Sequence, residues 1–83
     1  MITCLGLIVG AVTSADKREV LSQCARFIDT HRYLNKRGVQ FEIDGFVYAT
    51  VYATHDFDDG YFAVSFDMYD GFNTGVQVRR ASV

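Results

Sequence analysis

Hydrophobic and polar positions along the chain fall into three regimes. Residues 2–12 are almost unbrokenly apolar. A run of this length predicts a strand buried on both faces, and Gly6 and Gly10 would let a neighbouring backbone approach closely. Apolar residues then recur at Val20, Leu21, Cys24, Phe27, Ile28 and Leu34. Steps of three and four place them on one stripe of a helix. Thr13 or Ser14 offers an N-cap, and Thr13-Ser-Ala-Asp16 has capping-box spacing with an acid near the helix start. Lys36 and Arg37 suit the last turn, and Gly38 suits the left-handed position after it. The helix is expected over about residues 14–37, roughly 35 Å long.

Beyond Gly38 the pattern changes to period two. Val39, Phe41 and Ile43 share a face, Asp44-Gly45-Phe46 makes a short turn, and Val47, Ala49, Val51 and Ala53 share the next face. Phe62, Val64, Phe66 and Met68 do the same after the turn at Asp58-Asp59-Gly60. A hairpin that pairs Thr54 with Tyr61 sets Ala53, Val51, Ala49 and Val47 opposite Phe62, Val64, Phe66 and Met68, small residues against large ones on one apolar face. Residues 70–75 read as a loop, and Val76 and Val78 begin a last strand ending in Arg79 and Arg80. The expected fold is α+β. One long amphipathic helix packs on one face of a mainly antiparallel sheet, in the order β-α-β-β-β-β, as a single domain over residues 1–83.

The same alternation assigns Tyr48, Thr50, Tyr52, Thr54, Tyr61, Ala63, Ser65, Asp67 and Tyr69 to the opposite face, with Phe46 at its end. One helix cannot cover both faces of a sheet, so these rings meet either water or another chain. Tyrosines interleaved with Ser and Thr suit protein recognition, because each ring offers a large amphipathic contact at low rotamer entropy cost. Strand propensity alone also enriches tyrosine on outer strand faces.

Composition narrows the setting. A chain of 83 residues makes one domain and buries only about 60–65% of its unfolded surface, so association with a second chain would add useful stability. Two isolated cysteines, Cys4 and Cys24, both in apolar settings, read as buried free thiols, neither a zinc site nor a disulfide framework. That points to a reducing compartment. The run 2–12 has no basic residue before it and is too short to span a bilayer, so a cytoplasmic location is expected.

Charge is divided along the chain. Residues 1–40 hold six basic and three acidic side chains, a net of +3, and residues 41–83 hold two basic and seven acidic ones, a net of −5. Strands with exposed rings resemble single-stranded RNA platforms in outline, but those need a positive field around the rings. Here the strands are acidic, which argues against direct nucleic-acid binding and for a partner with a basic surface, such as a nucleic-acid-binding complex.

Catalytic chemistry finds little support. His55-Asp56-Phe57-Asp58-Asp59-Gly60 is the densest polar cluster, yet its carboxylates and glycine are out of step with an EF-hand loop, so it reads as an acidic turn. His31 suits a helix C-terminus. No serine sits in a nucleophile elbow and no phosphate loop follows Gly6 or Gly10. No cofactor, metal or catalytic residue is assigned. The partner-binding residues expected are Tyr48, Tyr52, Tyr61, Tyr69, Asp56, Asp58, Asp59, Asp67 and Asp70. In its length, its lack of a catalytic motif and its acidic aromatic surface, the chain resembles in style the small proteins with which phages and other mobile elements block host machinery, anti-CRISPR proteins among them. Alternatives are a homodimer joined through the tyrosine face, or a homodimeric protein sequestering a small ligand or nucleotide at its seam.

Overall fold

A computed structural model describes residues 1–11 and 16–81. In chain order the elements are β1 (Ile2–Cys4), β2 (Leu7–Gly10), α1 (Lys17–Thr30), a 3-10 turn (Arg32–Leu34), β3 (Gln40–Ile43), β4 (Phe46–Asp56), β5 (Tyr61–Met68) and β6 (Asn73–Arg79). The six strands form one antiparallel sheet in the order β2-β1-β3-β4-β5-β6, with α1 packed on one face. The α+β class expected of the sequence holds; the differences are local.

The apolar run at the start is a hairpin and not one strand. Leu5 and Gly6 both take positive φ, 50° and 81°, the signature of a tight two-residue turn whose twist matches the flanking strands. Cys4 pairs with Leu7 across it. Of the pair, β1 is internal, with Ile2 and Cys4 fully buried, while β2 is an edge strand with Leu7 and Ile8 exposed.

The helix is shorter than its stripe. Asp16 is the N-cap, its side chain accepting from the Arg18 amide at 3.0 Å; Thr13 and Ser14 lie outside the described residues. At the other end the Thr30 hydroxyl donates to the carbonyls of Arg26 and Phe27, and His31 Nδ1 sits 2.9 Å from Phe27 O. These side chains compete with the backbone ladder and close the helix at Thr30. Leu34 still reaches the core, through the 3-10 turn. Gly38 takes its left-handed conformation (φ 97°) at the entry to β3, where its amide bonds Val51 O.

Two bulges in β4 reset the sheet register. Phe41 opposes Ala49 but Glu42 opposes Val47, leaving Tyr48 as the extra residue; Val51 opposes Phe66 but Ala53 opposes Ser65, leaving Tyr52 as the extra. Ala49 and Val51 therefore face Met68 and Phe66, two residues out of the expected register and still on the apolar face. Past Tyr52 the offset is three, and the faces exchange. Thr54 and Asp56 now lie opposite the buried Val64 and Phe62 on the helix side, and Ala53 and His55 turn outward.

Bulges bend the strand that carries them, and this sheet needs the bend. Edge strands of a flat six-stranded sheet lie about 24 Å apart, while a helix is only about 10 Å wide. Yet α1 touches both β6 and β2, the two edges, as well as β5. The sheet curls around the helix, so one helix fills the concave side and, among the described residues, no element covers the convex side. The core on the concave side is apolar throughout: Val20, Leu21, Cys24, Ala25 and Ile28 of α1 pack with Phe41, Phe62, Val64, Phe66, Val76 and Val78 of the sheet. Burial pushes the Cys24 thiol up to about 12, helped by the neighbouring Cys4. Both thiols are free and inert where they lie.

Candidate functional site

The curl and the bulges distribute the sequence-predicted site residues over two ends of the sheet. Strand β4 runs 11 residues, about 33 Å at full extension. Asp56, Asp58, Asp59 and Tyr61 gather at the β4–β5 turn. Tyr48, Asp67, Tyr69 and Asp70 gather at the other end, beside the β3–β4 and β5–β6 turns. Tyr52 lies between them, exposed, with the Arg37 guanidinium 4.5 Å above its ring. A single continuous tyrosine face is not what forms. Tyr48, as a bulge residue, is half-buried against the core, and Thr54 faces the helix side, where its hydroxyl bonds the Asn35 side chain.

At the β4–β5 end the chemistry is a clasp. Arg32 reaches from the end of the helix to bond both Asp56 oxygens at 2.9 Å, and it bonds Asp29 Oδ1 at 2.7 Å. Its guanidinium lies 4.3 Å over the Phe62 ring. The other Asp29 oxygen accepts from the Ala81 amide at 2.6 Å, and Arg80 bonds Phe57 O at 2.8 Å. Helix end, turn and terminal strand are thus tied by one bidentate network. The hydrogen bonds from Arg32 hold the Asp56 carboxyl below its ordinary 3.8. A depressed carboxylate stabilises the fold fully above the unfolded value, and that contribution is lost as pH falls through the folded one. Asp56→Asn should therefore lower the melting temperature at pH 7, and the gap to wild type should narrow as pH falls below 3.8. The effect is modest, since the carboxylate is partly exposed. Thermal melts across that pH range check it.

The middle of the convex side is a shallow trough of about 360 Å³. Its floor is small: Ala53, Ser65 and Gly75 lie side by side on three strands, with Ala63 in the next row between His55 and Gln77. Arg18 borders it. Tyr61 stands at its end with Arg79, whose guanidinium donates to the phenol oxygen at 3.2 Å and lies 5.2 Å from the ring centre.

The opposite end is apolar and open. Ile43, Phe46, Val47, Tyr48 and Tyr69 line a depression of about 540 Å³. Phe46 is 79% exposed and Tyr69 74%, and Phe72 on the same β5–β6 turn is exposed as well. The Tyr48 and Tyr69 rings lie 6.3 Å apart, and the Tyr69 amide bonds Tyr48 O at 3.3 Å. Burial raises the Tyr48 phenol above its ordinary value, so it is a neutral donor at any physiological pH. Three acids border the cluster. Asp44 sits 3.5 Å from the N-terminal ammonium, Asp70 sits 3.6 Å from Lys17, and Asp67 accepts from Asn73.

Phe46 stood at the margin of the expected face, and Ile43, Val47 and Phe72 were not expected to contribute. A signal for them exists: Asp44-Gly45-Phe46 and Asp70-Gly71-Phe72 repeat one tripeptide at two turns. Each places a left-handed glycine (φ 84° and 90°) just before an exposed ring. Among the described residues no three His, Cys, Asp or Glu side chains converge to hold a metal ion, and no helix is long and apolar enough to cross a membrane. No protein-family model matches the chain, and neither a curated protein nor a solved structure shows significant similarity to it.

Proposed function

We propose that this chain is a non-catalytic protein-binding module, and that it seats the ring cluster of Phe46, Tyr48, Tyr69 and Phe72 on a basic site of its partner. The observation that supports this is the exposure of Phe46 and Tyr69 beside an apolar depression. A folded monomer has no use for two large rings in water, and clustered exposed apolar surface with a polar border is the usual mark of an interaction site. Asp44, Asp67 and Asp70 outnumber the two cations near them, so the border favours a basic partner and repels acidic ones. Asp58 and Asp59 extend the same field from the far end and speed encounter more than they hold the complex. Tyr52 and Tyr61, each engaged by an arginine of the same chain, have less to offer a partner.

A basic site of this kind is what proteins that handle nucleic acids present. An inhibitor blocking such a site, in the manner of the small proteins of mobile elements, is the role that fits the surface. Immobilised chain should retain a basic protein complex from a bacterial lysate at about 50 mM salt and lose most of it at about 500 mM, where charge attraction is screened beyond a few ångströms. Retention of nothing basic, or retention indifferent to salt, would count against the proposal.

A further inference from the structure

The β1–β2 hairpin has a different surface from the rest of the molecule and lies apart from the ring cluster. Residues 2–15 contain no charged side chain. Leu5, Leu7 and Ile8 are exposed, Leu5 at 71% and Ile8 at 66%. Strand β2 is at the sheet edge, and among the described residues no strand lies beyond it. Natural edges are ordinarily guarded by charge, proline, a bulge or shortness; β2 is short and bulged at Val9, but it carries no charge and no proline.

Leu5 adds a second observation. Its φ of 50° is the left-handed region, where a non-glycine residue other than Asn or Asp is under steric strain. Asn-Gly or Asp-Gly would make this turn without that cost, as Asp44-Gly45 does between β3 and β4. A strained leucine at a hairpin tip, 71% exposed and only bordering a depression with Val39 and Glu42, breaks the local rule. Departures of this kind are expected at functional sites.

We propose that β2 pairs antiparallel with β2 of a second copy of this chain, about a two-fold axis through Ile8. Backbone geometry selects the centre. Cys4 and Leu7 flank the two-residue turn, so they exchange both of their hydrogen bonds, and Ile8, the next residue along, aims its N–H and C=O away from β1. An axis through Ile8 makes these groups satisfy those of Ile8 in the second copy. It also sets Leu7 opposite Val9, the extra residue of the β2 bulge, without one charged pair. Charge chooses the occupant. The same two-fold operation at the ring cluster would bring Asp44, Asp67 and Asp70 against their own copies, whereas β2 itself carries no charge and the groups beside the hairpin are of both signs, Arg26 near Val9 and Glu42 near Leu5. An isologous contact through the uncharged edge is therefore the self-association this molecule permits. Four residues of strand bury less than the roughly 800 Å² per partner of a standard interface, so the dimer is a weak one that forms in the micromolar range or above.

Sedimentation velocity from about 10 µM to 1 mM tests the proposal. Wild type is expected to pass from monomer to dimer across that range. Ile8→Lys, which sets two ammonium groups face to face, should stay monomeric, weakening association by about tenfold or more, with its melting temperature unchanged because the side chain is exposed. Leu5→Asn should melt higher and associate less. Ile8→Cys under oxidising conditions should form a covalent dimer: opposed residues of a hydrogen-bonded pair lie about 5.5 Å apart, within disulfide reach, and Cys4 and Cys24 are buried. Phe46→Ala/Tyr69→Ala should associate as wild type does, which separates this contact from partner binding. A wild type that remains monomeric throughout, Ile8→Lys associating normally, or an Ile8→Cys chain that fails to cross-link would each overturn it.

Discussion

Phe66→Ala is expected to lower the unfolding free energy by about 3–5 kcal/mol. Phe66 is fully buried in the middle of β5, opposite Val51 on one side and Thr74 on the other. Its ring meets Phe41 edge-on at 6.0 Å, and Phe41 meets Phe27 edge-on at 6.4 Å. These three rings join the centre of the sheet to β3 and to the helix. Truncation removes the transfer free energy of the ring, leaves a cavity that the curled sheet cannot close, and breaks a ring pair worth about 0.5–1.5 kcal/mol in itself. That loss is about a fifth to all of the total stability, which is about 5–15 kcal/mol for folded domains. Phe46→Ala deletes the same side chain from the same sheet, but there the ring is already in water, and the change should stay within about 0.5 kcal/mol. Urea titration of the two variants makes the comparison, and equal losses would mean that the core is misplaced.

For Phe46→Ala/Tyr69→Ala the expected result is the reverse: near-wild-type stability and loss of partner affinity by about 100-fold or more. Central aromatic anchors of an interface typically cost at least about 2 kcal/mol each when truncated, and each 1.4 kcal/mol is a factor of ten. The two sites share one depression, so their effects should not add fully. Reversing Asp58 and Asp59 to lysine, at the far end of β4, should instead slow association and flatten its salt dependence while leaving the dissociation rate nearly unchanged.

Much of the fold was legible because burial imposes periodicity. The stripe Val20, Leu21, Cys24, Ile28 and Leu34 is buried as its spacing requires, and so is the alternation Phe62, Val64, Phe66, Met68. What escaped was decided by single residues with no marker of their own. Leu5-Gly6 is a hairpin turn without the Asn or Asp that announces one, so the run 2–12 read as one strand. Leu34 continued the helical spacing although Thr30 and His31 close the helix before it. The bulges at Tyr48 and Tyr52 left no trace in composition, because Val-Tyr-Ala-Thr-Val-Tyr-Ala-Thr (residues 47–54) satisfies either parity of the pleat and small residues fit both faces. Each bulge inverts the sides beyond it, which is how Asp56 came to pair with Arg32 and Val47 came to face water. The division of charge along the sequence was real, but folding brings the two halves together: Arg32 with Asp56 and Lys17 with Asp70. An acidic remainder survives chiefly at the turns.

The claim that a protein docks on the ring cluster is tested most directly by titrating one captured partner with three chains side by side: wild type, Phe46→Ala/Tyr69→Ala, and Asp58→Lys/Asp59→Lys. The first variant is expected to lose binding by about 100-fold and the second to keep the affinity to within about tenfold. The opposite order, with the ring variant binding as wild type and the far-end variant failing to bind, would place the docking surface at the β4–β5 turn and contradict it.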